Sequence, residues 1–549
     1  MSIAPLPPGG EGQAGAGLAN GRRGRWLAKG PAALAVAAGI LLSRLSGLLR
    51  ERVLAHYLGN SSEAGAFKAA LRIPNLLQNL FGEGVLSASF VPVYSALRAE
   101  GREAEADQLA RAVFTALLLV VSLVVALGMA FAPVLIDLIA PGFEGAVREL
   151  TIELVEIMFP GMGLLVLSAW CLGVLNSHRR FLLSYAAPVL WNAAQIAALV
   201  GVGLRLLGGE PSGVRLSHAV AWGTVAGAAL QFLVQLGPTL RLLERWAPSF
   251  ELSAPVRRTL ASFAPVVTTR GVIQLSAYVD QMLASLIGPS AVAAIAYAQQ
   301  LYLLPVSLFG MAVSAAALPE LSAVRGDREL RAATLRERLA TDRLRIAFFV
   351  VPSAVAFLCV GDALVALLFQ TGRFGEGDTR FVWAILCGSS VGLFATTQAR
   401  LLSSALYAIA EPVAPFRVAV ARVALGAGLG YLVAGPLRQH YHWSPLVAAT
   451  GLAAAAGLAA WLELWLLSRV LRAHIGTVPK DRGSEGRILL AALIAGALSA
   501  IVHRALPWAW PVLDGIITAG TFGAIYLVLG VALGVPHARA VWRRLRPAK

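Results

Sequence analysis

Runs of mainly apolar residues, separated by short polar punctuation, recur along the whole chain. A helix needs about 20 such residues to cross a bilayer. On that criterion the pattern predicts fourteen spans, at 31–58, 66–97, 108–131, 150–175, 183–206, 214–238, 259–287, 290–318, 344–369, 380–408, 414–435, 443–468, 487–506 and 511–534. Most boundaries fall at Gly, Pro or charge clusters such as Ala140-Pro141-Gly142 and Gly372-Arg373-Phe374-Gly375-Glu376-Gly377. The first two spans carry the most charge. They are kept because their arginines are embedded between apolar stretches rather than gathered at the ends.

Composition agrees with this reading. Of 549 residues, 57% are hydrophobic and 14% charged, with a mean hydropathy of +0.71, where a soluble chain has about 25% charged residues. Three or four soluble domains, disorder and a disulfide scaffold are thereby excluded, and Cys171, Cys359 and Cys387 in apolar runs read as buried, inert thiols. The net charge of +16 would suggest nucleic acid if it were clustered on one soluble face. Instead, 31 of the 46 Lys and Arg residues fall in the two tails and the loops on their side of a fourteen-span layout, against seven in the opposite loops. Positive residues stay cytoplasmic, so both termini are expected inside a bacterial cytoplasmic (inner) membrane, with no nucleic-acid partner. The basic stretch Arg325–Arg345 is read as a helical cytoplasmic loop at the lipid surface.

Landmarks repeat at a nearly constant offset. Gly59 and Gly288 are 229 residues apart, Pro74 and Pro305 are 231, Pro92 and Pro319 are 227, and Pro188 and Pro415 are 227. A duplicated unit of six spans enters the membrane twice in the same direction, which suits alternating access between parallel repeats. The expected fold class is therefore an all-α polytopic membrane protein with two pseudo-symmetric six-helix bundles and a C-terminal helix pair. Its divisions are a disordered cytoplasmic tail (1–30), an N-lobe (31–240), a C-lobe (241–471), and a final helix pair with a basic tail (472–549).

Apart from those at span edges, which are counted with the loops, eight basic residues sit inside the predicted spans: Arg44, Arg50, Arg52, Lys68, Arg72, Arg270, Arg400 and Arg422. Each costs about 2.5–3.5 kcal/mol at a helix centre unless it faces a cavity or a partner. Arg52, close to a helix end, is expected to snorkel to the interface. Lys68, Arg72, Asn75, Asn79 and Glu83 are spaced to share one stripe of the second span, with a kink expected at Pro74. In the first span Ser43, Ser46, Gly47 and Arg50 make a second stripe, flanked by Arg44 and Glu51. Cations outnumber carboxylates here, and the planar fork of arginine suits phosphate. Arg44, Arg50, Lys68, Arg72 and Arg270 are thus the candidate ligands for an anionic, phosphorylated cargo. Asp280 is a candidate to pair with a cavity cation or to bind Na⁺ or H⁺, and Glu463 to pair with a neighbouring helix. No metal, nucleotide or dinucleotide motif is present in the sequence.

The run Ser43-Arg44-Leu45-Ser46-Gly47-Leu48-Leu49-Arg50-Glu51, with Pro74-Asn75-Leu76-Leu77, Phe81-Gly82-Glu83-Gly84 and Phe90-Val91-Pro92-Val93, strongly resembles the MurJ/MviN family of lipid II flippases. Val174-Leu175-Asn176-Ser177, Phe181, Ala187-Pro188, Pro352-Ser353-Ala354 and Phe369-Gln370-Thr371-Gly372-Arg373-Phe374 extend the likeness over about residues 35–435. The resemblance implies the fold of the multidrug/oligosaccharidyl-lipid/polysaccharide exporters and transfer of an undecaprenyl-pyrophosphate-linked peptidoglycan precursor, lipid II, to the outer leaflet. It implies no cofactor, a drive from membrane potential or a Na⁺ or H⁺ gradient, and partners among membrane lipids and cell-wall synthesis proteins. Arg44, Arg50 and Glu83 fall on cavity positions of the family, and Glu51 replaces its usual aspartate. Gln78 stands where an arginine is usual, Gly65 where an aspartate is, and Gln299-Gln300 where an Asp-Arg pair is. Lys68 and Arg270 are expected to supply the missing charge, with Gln78, Gln274 and Gln300 as further polar cavity residues. The competing readings are an exporter of another polyprenyl-linked glycan or small molecule, a membrane-embedded transferase acting on lipid pyrophosphates, and a scaffold for cell-wall synthesis.

Overall fold

The computed structural model describes residues 31–206, 208–243, 247–307, 328–409, 411–505 and 510–545. Within these, the helices are α1 Pro31–Leu58, α2 Ser62–Phe81, α3 Glu83–Ala99, α4 Glu103–Ala130, α5 Ala132–Ile139, α6 Gly145–Ser177, α7 Phe181–Ala186, α8 Pro188–Gly203 and α9 Gly213–Leu240. They continue as α10 Ala254–Ile287, α11 Pro289–Pro305, α12 Arg328–Phe369, α13 Glu376–Ala408, α14 Val413–Leu432, α15 Pro445–Ile475, α16 Arg482–Ala505, α17 Pro511–Ala532 and α18 Pro536–Leu545. The described residues contain no strand beyond an isolated bridge between Thr371 and Phe374. The protein is a multi-span, all-helical membrane protein. Among the described residues, eleven helices or joined helix pairs are long and apolar enough to cross a bilayer. The predicted spans 31–58, 259–287 and 290–318 coincide with α1, α10 and α11, which are not among these eleven, and the end of the last lies outside the described residues.

Local chemistry sets the helix ends. Gly59 takes a left-handed φ of 62° to close α1, and the Ser61 hydroxyl accepts from the Ala64 amide to open α2. The second predicted span, 66–97, falls within the joined helix pair Ser62–Ala99. It breaks at Gly82, whose extended backbone separates α2 from α3, while Pro74 sits buried within α2. Glu83 therefore starts a new helix, and the predicted stripe holds only from Lys68 to Asn79.

α6 is the most buried of the eleven candidate spans and packs against α2, α3, α4 and α9, while α8 lies between α1 and α9. In the second part of the chain α13 packs on α11, α12 and α15, and α14 on α15. Small residues allow the closest approach: a Cβ on Gly392 would lie 2.5 Å from the Gly457 Cα. α12 takes in the described part of the basic stretch, from Arg328, with the helical character expected of it, and is broken at Val360 (φ −137°); Arg325 lies outside the described residues. The carbonyl of Phe357 accepts from Trp383 Nε1 (3.0 Å) and Cys387 Sγ (3.6 Å), so the break leaves no orphan there. α16 and α17 pair with each other and with α12.

Candidate functional site

Two charge clusters grow from α2, one turn apart. The first joins α2 to α1. Arg50 Nη2 donates to Glu51 Oε1 (2.7 Å) and Arg50 Nη1 to Asn192 Oδ1 (3.2 Å), while Lys68 Nζ donates to the other Glu51 oxygen. Glu51 is 3% exposed. One carboxylate thus serves two cations, and aromatic faces take up the surplus. The Arg50 guanidinium lies 4.9 Å from the Trp191 ring centroid, and the Lys68 ammonium 5.3 Å from that of Tyr297. Arg50 Nε and Trp191 Nε1 are buried donors without an acceptor. Asn192 also donates to Ser46 Oγ (2.8 Å), which donates in turn to the Ser43 carbonyl (2.9 Å), so Ser43 enters the network through its backbone. Arg44 stands apart: it is exposed, and its Nη1 reaches Ser307 Oγ just beyond α11 at 3.3 Å.

The second cluster lines a chamber of about 180 Å³ bounded by α2, α10, α11, α13, α14 and α15. Arg72 and Arg422 line it together with Asp280, Gln281, Gln299 and Tyr302. Tyr302 donates to Thr396 Oγ1 (3.3 Å), Tyr278 donates to the Arg72 carbonyl (3.1 Å), and Arg422 pairs with Glu463 at 3.1 Å. Glu463 thus takes the helix-pairing role predicted for it.

Above both clusters the two parts of the chain are sealed together. Arg52, expected to snorkel, instead donates to the carbonyls of Leu367 (2.7 Å) and Leu368 (3.0 Å), the orphan acceptors in the last turn of α12. His56 Nδ1 pairs with Thr371 Oγ1 (2.9 Å), and the His56 carbonyl accepts from the Arg373 amide (2.8 Å). A Cβ on Gly65 would sit 2.1 Å from the Pro289 carbonyl oxygen, and one on Gly142 2.1 Å from that of Ser285. Gly65 is therefore a position where backbone passes and no side chain fits.

The structure brings Arg50, Glu51 and Lys68 together, and separately Arg72 and Asp280. Asn75 and Gln78 are half-buried, and Asn79 and Glu83 are exposed. Gln299 rather than Gln300 lines the chamber. The side chains of Arg270 and Gln274 lie outside the described residues. Among the described residues no group of three or more His, Cys, Asp or Glu could hold a metal. Sequence reasoning missed Trp191, Asn192, Tyr297 and Gln281. The signal available was the same one that flagged Arg422, namely a polar or amphipathic side chain inside an apolar run.

A many-helix bundle with charge held in its interior defines a membrane transporter fold, and solved structures agree. One described as "Lipid II flippase MurJ, inward closed conformation" aligns with a TM-score of 0.71 at 21% identity, covering 90% of this chain and 98% of its own. An inward-facing multidrug resistance MATE family transporter of the MOP superfamily gives 0.61 at 19% identity, covering 82% and 100%. At these identities the likeness is one of fold. The sequence goes further: residues 54–513 match the family described as lipid II flippase MurJ. Lipid II flippase MurJ of Burkholderia cenocepacia is 32% identical over 450 residues, 80% of this chain and 83% of its own. A probable lipid II flippase MurJ of Rhizobium meliloti is 30% identical over 515 residues, 90% and 91%. The chain belongs to the lipid II flippase MurJ family.

Proposed function

We propose that this chain moves lipid II, an undecaprenyl-pyrophosphate-linked head group, from the inner to the outer leaflet of the bacterial cytoplasmic membrane by alternating access. The observation that carries the reading is the placement of α1's arginines. Arg44 is exposed beside Ser307 from the other part of the chain, and Arg50 keeps a buried donor unused. With the tail inside, as the basic-residue asymmetry supports, the sealed end faces outward and the head group enters from the cytoplasm. Residues 31–240 and 241–471 act as the two lobes, with 472–549 a peripheral helix pair. Arg44 meets the pyrophosphate first, and Arg50 turns to it as the lobes rock.

Lys68 has a different part from the one its charge suggests. It holds the second oxygen of Glu51, so the carboxylate keeps a partner when Arg50 leaves. A buried carboxylate stripped of all its partners would cost several kcal/mol. Lys68 therefore makes the release of Arg50 affordable rather than gripping cargo directly. The drive is the membrane potential or an ion gradient, and no step uses a cofactor or covalent chemistry.

The test is outer-leaflet accessibility of lipid II in cells depleted of their own flippase. Arg44→Ala and Arg50→Ala are each expected to lower accessible lipid II at least tenfold while the protein still accumulates in the membrane. Wild-type translocation by the double variant would reject the mechanism.

A further inference from the structure

We propose that the chamber between α2, α10 and α14 is a binding site for a small monovalent anion, separate from the cargo arginines of α1. Its volume of about 180 Å³ is ample for a halide or nitrate with part of its hydration shell. The lining supplies donors from separate helices: guanidinium groups from Arg72 and Arg422 and amides from Gln281 and Gln299.

Charge decides the sign of the ligand. Asp280 lies within electrostatic reach of both Arg72 and Arg422. Glu463 is paired with Arg422 at 3.1 Å, and Arg400 of α13 acts on the same carboxylate. Three cations, the exposed Arg400 among them, stand against two carboxylates, so the cluster carries one positive charge. A monovalent anion brings it to neutrality. A metal cation would add to the excess, and a pyrophosphate would overshoot it.

Gln281 gives the independent sign. It is 5% exposed, and its side-chain amide nitrogen is buried with no hydrogen-bond partner. Buried donors rarely go unpaired, and this one belongs to a residue that lines the chamber. An anion there accepts from Gln281 and neutralises the arginines at once. Because Arg72 stands on α2 and the other donors on α10 to α15, the bound anion ties the first part of the chain to the second. It thereby favours the sealed arrangement, which makes the rocking equilibrium responsive to anion concentration.

The experiment is thermal unfolding of the purified full-length protein in detergent, titrated with sodium chloride, bromide or nitrate against sodium gluconate at constant ionic strength. A saturable upward shift on the order of 2 °C in the small anions, absent in gluconate, is expected. Gln281→Leu and Gln281→Glu should both abolish it, the first by removing the donor and the second by adding a repelling carboxylate. An equal shift in gluconate, or a full shift in both Gln281 variants, would overturn the proposal. So would stabilisation by inorganic pyrophosphate with none by halide, since the chamber would then belong to the cargo. Arg44→Ala lies outside the chamber and should keep the halide response whatever it does to lipid II transfer. The anion site and the flippase reading can therefore fail independently.

Discussion

The α1–α2 triad and the chamber one turn further along α2 use the same residue types, yet they solve the problem of buried charge in opposite ways. In the triad, a single carboxylate with 3% exposure is shared by two cations whose surplus is spread over Trp191 and Tyr297. In the chamber, two arginines and Asp280 stand around open volume. The difference teaches that proximity of opposite charges does not by itself decide whether a site is structural or receptive. Both sites keep a buried donor unpaired, Arg50 Nε in the triad and the Gln281 amide nitrogen in the chamber, so what separates them is whether open volume lies beside the donor.

The comparison can be broken most forcefully at Glu51. Glu51→Gln leaves two buried cations without their common anion, and a loss of about 3–5 kcal/mol is expected, measured as a large fall in unfolding temperature in detergent. Adding Lys68→Met should recover most of that loss, because one desolvated charge goes with it. Next comes the seal. Arg52→Gln removes charge-assisted bonds to the end of α12, worth about 1.5–3 kcal/mol. Labelling of a cysteine placed at Thr371 by a membrane-impermeant maleimide should rise in step. Asp280→Asn sharpens the contrast from the other side. Its carboxylate borders open volume, so the expected cost is about 1 kcal/mol, well below that of Glu51→Gln in the same assay.

The smallest effect lies outside the membrane. Burial, followed by the nearby Arg98, holds the His178 imidazole below its ordinary value, and Tyr94 Oη lies 3.0 Å from its Nε2. A depressed histidine is neutral in the folded state, so the unfolded chain takes up the proton first. The associated stability is complete above about pH 6.5 and is lost as pH falls below it. The unfolding temperature of the wild type should therefore drop more between pH 7 and pH 5 than that of His178→Gln.

Much of this was legible in the chain, for reasons that are local. Apolar runs bounded by Gly and Pro set the helices, and the cost of charge in a bilayer singled out Arg44, Arg50, Lys68, Arg72 and Arg422 before any coordinates. What sequence could not give was the division of those charges among partners. Lys68 and Arg72 look equivalent on a helical wheel, but one meets Glu51 and Tyr297 while the other meets the Asp280 side of α10. In the second span, likewise, a kink is expected at Pro74, and the pattern does not mark the break at Gly82. A proline within a well-packed helix is tolerated, whereas the extended backbone at Gly82 ends α2. Arg52 was read as an interfacial side chain because its acceptors lie more than 300 residues away.

The contact of Gly65 with Pro289 has a consequence for the cell's electrical insulation. A carrier working in an energised membrane must not short-circuit it. A plug made of side chains opens briefly whenever a rotamer flips, on picosecond to nanosecond timescales. Here main chain presses on main chain, with no room even for a methyl group, so at this contact there is no rotamer to flip. The smallest possible residue is thus the tightest stopper, and a wedge at this point should show as a leak current before it shows as a folding defect.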